Sequence, residues 1–230
     1  MSNELLEYIG SQIKMFRKIK KLTIEELAKM INKSKSTVSK YESGEIAIDI
    51  VTLFDISRAL NINIVNLIDY EDEKDTDTDQ TYFWETRHLY MYHQIGKKIY
   101  CSLLKLRKEE SSNKALATLY FNVSDINNPN SCECVYQGKM NLYNNILNFN
   151  LTNCLYDSES VLINFFIPMK KVTFAVGLIS GLEGISLRPT SYKVVLSKDP
   201  LPDEKQRELL QISKDVIKKL KNEHVFRIDD

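Results

Sequence analysis

Three groups of side chains carry donor or nucleophile chemistry. Cys132 and Cys134, in Ser-Cys-Glu-Cys, would project to one side of a strand, and with Cys101, Cys154, His88 and His93 they are the donor types of a tetrahedral zinc site. A structural zinc site usually shows two close ligand pairs. Only one pair exists, so the expectation is small buried thiols and no metal. Trp84, with Tyr82, Phe83, Tyr90 and Tyr92, could line a ligand pocket, although aromatic residues on strands more often build core. The third group is polar: Ser34, Lys35, Ser36, Thr37, Ser39 and Lys40 bring cationic donors and hydroxyls that both give and accept hydrogen bonds. A glycine-rich phosphate loop, HExxH, GxSxG and a dinucleotide fingerprint are all missing. No catalytic residue and no cofactor is therefore expected.

The formal net charge is zero, so a nucleic-acid argument must come from how charge is distributed. From Lys14 to Lys40 nine lysine and arginine residues face only two carboxylates, Glu25 and Glu26. From Glu71 to Gln80 the balance reverses, with six carboxylates, one lysine and no apolar residue. That composition reads as a solvated linker, dividing the chain into 1–70, 71–80 and 81–230. No apolar run approaches the roughly 18 residues of a membrane span, and Met1 to Gly10 lacks the pattern of a signal peptide. A soluble, cytoplasmic protein with no membrane partner and reduced cysteines is expected.

The elements that position the polar group follow from spacing and caps. Leu5, Leu6, Ile9, Ile13, Phe16 and Ile19 recur at helical intervals, which predicts an amphipathic helix from Asn3 to Lys20. Thr23-Ile24-Glu25-Glu26 is a capping box that starts a second helix running to about Met30. Ser34 is a good cap for a third, through Glu42, which Gly44 ends by taking a left-handed conformation. Asp49 caps a fourth to Leu60, and Asn63 a fifth to about Asp69.

With these residues in order, the segment from about Ile9 to Asp69 resembles the Cro/CI (XRE) helix-turn-helix family. The resemblance is carried by Leu22-Thr23-Ile24-Glu25-Glu26-Leu27-Ala28, by Ser34 through Gly44, and by Leu53, Ile56, Ala59, Leu60, Ile64 and Leu67. It implies a five-helix lambda-repressor-like domain that places its third helix in the major groove of double-stranded DNA. It also implies an ion pair between Arg17 and Glu42. Carried over by position, Lys35, Ser36 and Lys40 would read bases, while Thr37, with Thr23 and Ile24 at the start of helix two, would meet phosphates. Ser34 and Ser39 complete the set. The chemistry suits these roles, since lysine donates to guanine O6 and N7 and helix amino ends attract phosphate. Ile24 departs from the polar residue many members carry there, which leaves that contact to backbone amides. Some relatives are self-cleaving peptidases cut at Ala-Gly or Cys-Gly, and neither dipeptide occurs in this chain.

Nine of the twelve tyrosines lie beyond residue 80. Strand-like runs occur at about 87–93, 98–107, 115–123, 132–141, 145–152, 159–167, 172–180 and 191–196, separated by Gly, Asn, Asp, Pro or Ser. Short separators favour antiparallel neighbours in a meander that closes into a barrel or splits into a sandwich. Leu209, Ile212, Val216 and Leu220 then predict one terminal helix over 202–226, packed on its own domain or zipped to a second subunit. The whole reads as an α+β two-domain chain. The expected function is a homodimeric, DNA-binding transcription regulator, whose β-rich domain oligomerises or senses a small-molecule or protein effector. The competing reading is an antitoxin-like or scaffold protein whose second domain binds a partner protein.

Overall fold

The computed structural model describes residues 2–70, 86–108, 113–167, 172–183 and 188–228. The acidic linker and the aromatic residues Tyr82, Phe83 and Trp84 lie outside the described residues. The chain divides into two compact units, 1–76 and 77–230.

The first unit is all helix: α1 (Ser2–Ile19), α2 (Ile24–Met30), α3 (Lys35–Glu42), α4 (Ile50–Leu60) and α5 (Val65–Ile68). Local chemistry sets each start. Thr23 accepts from the amide of Glu26 while the Glu26 carboxylate reaches back to the amide of Thr23. Ser34 accepts from the amide of Thr37, and Asp49 from that of Thr52. The expected cap of α5 differs: Ile64 takes the cap position without a side-chain bond, and Asn63, one residue earlier, accepts from the amide of Val65, the first residue of the helix. Ile13, Phe16, Leu27, Val38, Ile56, Leu60 and Leu67 fill the space between the helices and are essentially inaccessible to water.

α1 and α3 approach so closely that one position admits no side chain. A Cβ on Gly10 would stand 2.3 Å from the carbonyl oxygen of Tyr41 and 2.9 Å from that of Glu42, both backbone atoms. Gly10→Ala should therefore push α3 outward and cost ~1 to 3 kcal/mol of stability in the helical unit, read as a lowered denaturation midpoint. An unchanged midpoint would mean the helices are less close than described.

The second unit is a closed barrel of eight antiparallel strands: β1 (His88–Ile95), β2 (Lys98–Lys108), β3 (Lys114–Phe121), β4 (Cys134–Tyr143), β5 (Ile146–Asn153), β6 (Ser160–Phe166), β7 (Phe174–Glu183) and β8 (Arg188–Ser197). Each strand pairs with the next, and β8 returns to β1 in the register Tyr92 to Val195. Of the two architectures the alternation allowed, the barrel is the one formed. Tight turns at Gly96 (φ +61°) and Asn144 (φ +52°) join β1 to β2 and β4 to β5, as expected of residues that tolerate a left-handed backbone. Strict alternation, clearest on β6, turns one face inward. Leu89, Met91, Leu104, Leu119, Leu147, Phe149, Ile163, Phe165, Val194 and Leu196 pack the interior. An eight-stranded barrel is just wide enough for side chains to fill it.

The terminal segment differs from the single helix that apolar spacing predicts. It forms α6 (Asp203–Leu210) and α7 (Lys214–Glu223), with Pro202 outside the first turn. The chain is extended at Gln211 (ψ 134°), and Ser213 caps the second helix by accepting from the amide of Val216. A serine with its hydroxyl turned to its own backbone starts a helix more readily than it continues one. Leu210 packs with Tyr92 and Val195 on the outer wall of the barrel, whereas α7 buries only Val216.

Candidate nucleic-acid interface

α3 divides cleanly along its length. Val38, Tyr41 and Glu42 are buried, while Lys35, Ser36, Ser39 and Lys40 are exposed and Thr37 is half-exposed. A turn with Asn32 at φ +53° brings α3 back beside α2. Thr23 is exposed and Ile24 half-exposed at the start of α2, so the polar row and the amino end of α2 belong to one small unit.

Three of the hydroxyls in the expected contact set are already engaged. Ser34 Oγ lies 2.8 Å from Thr37 Oγ1 and accepts from the amide of Thr37 at 3.0 Å. Thr23 Oγ1 donates to Glu26 at 2.8 Å. The bonds from Thr23 hold the Glu26 carboxyl below the usual range. A phosphate approaching this end meets a fixed carboxylate as well as helix amides. Lys35, Ser36, Ser39 and Lys40 have no such commitment. Spacing alone did not single out Lys33, exposed on the turn before Ser34, although it belongs to the basic run.

Behind the polar row stands a buried ion pair. Arg17 is 7% exposed and Glu42 8%. The guanidinium donates to both carboxylate oxygens, Nε to Oε1 at 2.6 Å and Nη2 to Oε2 at 2.9 Å, and Nη1 donates to the carbonyl of Leu22 at 2.7 Å. One side chain on α1 thereby fixes the end of α3 and the turn leading into α2. The hydrogen bonds that Arg17 donates to Glu42 raise the Arg17 pKa further.

Residues 13–67 match the family model HTH_3, the helix-turn-helix. The amino-terminal unit is an XRE-type helix-turn-helix. Regulators built on HTH_3 bind double-stranded DNA, and the match supports a DNA-binding role for this unit. Among solved structures, the restriction-modification controller protein C.AhdI from Aeromonas hydrophila is 27% identical, over 27% of this chain and 94% of that one, with a TM-score of 0.27. An HTH_3 family transcriptional regulator from Vibrio cholerae is 12% identical over 87% of this chain and 100% of that one, at a TM-score of 0.29. Apo-HppE is 12% identical over 84% and 98%, at 0.31. No curated protein matches the sequence.

Outside the helix-turn-helix, Cys132, Cys134 and Cys154 lie near enough to influence one another's ionisation, but the potential metal donors do not converge as a set. Cys101 lies with Tyr92 on the outer wall of the barrel, whereas Cys134 packs against its interior, on opposite faces of the sheet. Among the described residues no three His, Cys, Asp or Glu side chains are grouped to hold a metal ion. Burial pushes the Cys101 thiol up to about 11 and those of Cys132, Cys134 and Cys154 up to about 12. Thiols that reluctant to ionise are poor ligands and poor nucleophiles. No helix among the described residues is long and apolar enough to cross a membrane.

Proposed function

We propose that this chain is a sequence-specific transcription regulator that acts as a homodimer in the cytoplasm, with a barrel that senses an effector. Lys35, Ser36 and Lys40 read base edges in the major groove. Thr37 and the start of α2 at Thr23 and Ile24 meet phosphates, the Thr23 amide itself being held by Glu26, and Ser39 lies on the same polar side as the readers. The observation that carries this reading is the exposed, uncommitted row Lys35, Ser36, Ser39 and Lys40 on a helix anchored by buried Val38 and Tyr41.

Dimerisation is supported by area and by surface. A single module covers only ~600 to 1,000 Å² of contact, which favours two heads reading half-sites ~34 Å apart. Ile50, Val51 and Phe54 on α4, and Val65 and Ile68 on α5, are exposed apolar residues in the head. Ile217 and Leu220 are exposed on α7. The four cysteines are free thiols, which fits a reducing compartment.

The test is selection of a duplex from a random pool, followed by binding titrations at several salt concentrations. Lys40→Ala should weaken the selected duplex by ~1 to 3 kcal/mol if the lysine reads a base, and should lower the salt slope by about one if it neutralises a phosphate. Unchanged affinity and slope would remove Lys40 from the interface. Failure of the unaltered chain to enrich any duplex at low salt would overturn the regulator reading.

A further inference from the structure

The barrel unit carries a cleft of about 660 Å³ where the β1–β2 turn and the start of β8 meet α6. Its wall includes Gln94, Tyr192, Lys193, Arg207, Ile212 and Phe226. This volume falls among those of small-molecule sites, ~300 to 1,000 Å³.

The charge of the cleft is one-sided. Glu208 also lines it, but Lys205 holds that carboxylate at 2.9 and 3.0 Å. Arg207 forms no ion pair among the described residues. Lys193 is half-buried, burial lowers its pKa, and its ammonium donates to a neutral acceptor, the carbonyl oxygen of Gln211, at 2.9 Å. Two cations thus face one space with no anion of their own. The rest of the lining mixes polar Gln94, Ser191 and Gln211 with apolar Leu210, Ile212 and Phe226 and with Tyr192. Tyr192 also reaches inward, its ring centroid 5.3 Å from that of the buried His93.

The position of the cleft gives it a consequence. Gln211 and Ile212 form the break between α6 and α7, and a second cleft of about 160 Å³ also touches Lys193, Gln211, Ile212 and Phe226. The break therefore runs between two open spaces and is tied to the barrel by the bond from Lys193. α7, which follows, presents the exposed apolar residues Ile217 and Leu220.

We propose that this cleft binds a small organic anion with an apolar body, its charge held by Lys193 and Arg207 and its body against Leu210, Ile212 and Phe226. The inference rests on the reading of the barrel as a sensing unit and gives that unit a site. An anion outcompetes a neutral carbonyl for an ammonium group, because it adds the attraction of a full opposite charge to the hydrogen bond. Binding then frees the Gln211 carbonyl and unties α7 from β8.

The experiment uses the full chain and two probes of nearly the same body. One is 1-anilinonaphthalene-8-sulfonate; the other is N-phenyl-1-naphthylamine, which lacks the sulfonate. Fluorescence titration should show one saturable sulfonate site, weakened about tenfold by Arg207→Gln and by Lys193→Gln. The uncharged probe should bind the three proteins alike, and Phe226→Ala should weaken both probes. Sulfonate binding that both charge variants leave unchanged overturns the site. Arg207 is exposed, so its variant remains informative if Lys193→Gln does not fold. Duplex binding is measured on the same preparations without probe. A chain that binds duplex but shows no cation-dependent sulfonate site refutes the cleft alone. One that shows the site but binds no duplex refutes the regulator reading alone.

Discussion

Glu42→Ala should unfold the helix-turn-helix under conditions where the unaltered chain keeps it. The substitution leaves the Arg17 guanidinium, 7% exposed, with the Leu22 carbonyl as its remaining hydrogen-bond acceptor. Removing one partner of a buried ion pair costs ~3 to 5 kcal/mol, because the other charge stays desolvated and unpaired. A unit of this size has only ~4 to 10 kcal/mol to lose. Its melting temperature should fall by roughly 15 °C or more, followed by far-ultraviolet circular dichroism, and duplex binding should go with it. Arg17→Met combined with Glu42→Leu should restore most of the stability, since two apolar residues of similar volume leave no charge behind. A Glu42→Ala protein that melts within ~1 kcal/mol of the original would show the pair to be dispensable.

That ion pair marks where sequence reasoning is strong. Caps are local events. Thr23 with Glu26, Ser34 with Thr37 and Asp49 with Thr52 each lie three residues apart, so the bonds seen in the helical unit can be anticipated from neighbouring letters. Pairing Arg17 with Glu42 needed the family resemblance, because nothing in their spacing brings α1 to the end of α3. The alternation of the strands was equally local, and all eight runs are strands. Closure was not. Tyr92 opposite Val195 is a contact between the first and last strands, and alternation tells which face a residue takes without telling which strand lies beside it.

The break at Gln211 and Ile212 was hidden for a related reason. Leu209, Ile212, Val216 and Leu220 keep helical intervals across it, and those intervals do not show that Ser213 caps a second helix. The cleft was hidden by distance along the chain. Gln94 comes from the first hairpin, Lys193 from the last strand, Arg207 from α6 and Phe226 from beyond α7. Each reads as an ordinary surface or core residue on its own. The reading face of α3 was legible because one short helix supplies all of it. Even there, the hydroxyls of Ser34 and Thr23 serve their own helices, so the cap and contact roles fall on the same atoms.

His93 makes the stability of the barrel depend on pH in a window that one substitution can isolate. Its side chain is 0% exposed, and both ring nitrogens lack a hydrogen-bond partner among the described residues. The ring stacks against Tyr100 and Phe121, with centroids 5.3 and 5.1 Å away. Burial alone pushes its pKa down to about 4. An unfolded histidine titrates near 6.5, so as pH falls below that value the unfolded chain takes up a proton that the folded barrel refuses. Stability attributable to His93 is complete above about pH 6.5, declines by ~1.4 kcal/mol per pH unit, and levels off below about pH 4 after a loss of roughly 3 kcal/mol. His93→Phe keeps an aromatic ring in the same box and removes two unsatisfied nitrogens, so it should be neutral or stabilising near pH 7. Nine of the twelve tyrosines lie beyond residue 80, so their near-ultraviolet dichroism follows the barrel through urea titrations. Carboxylates titrate alike in both proteins, and the difference between the two stability curves reports the imidazole alone. The variant should gain on the original steadily as the solution is acidified through that window. Parallel curves throughout would mean that His93 is solvated or already bonded, and the buried uncharged imidazole would be refuted.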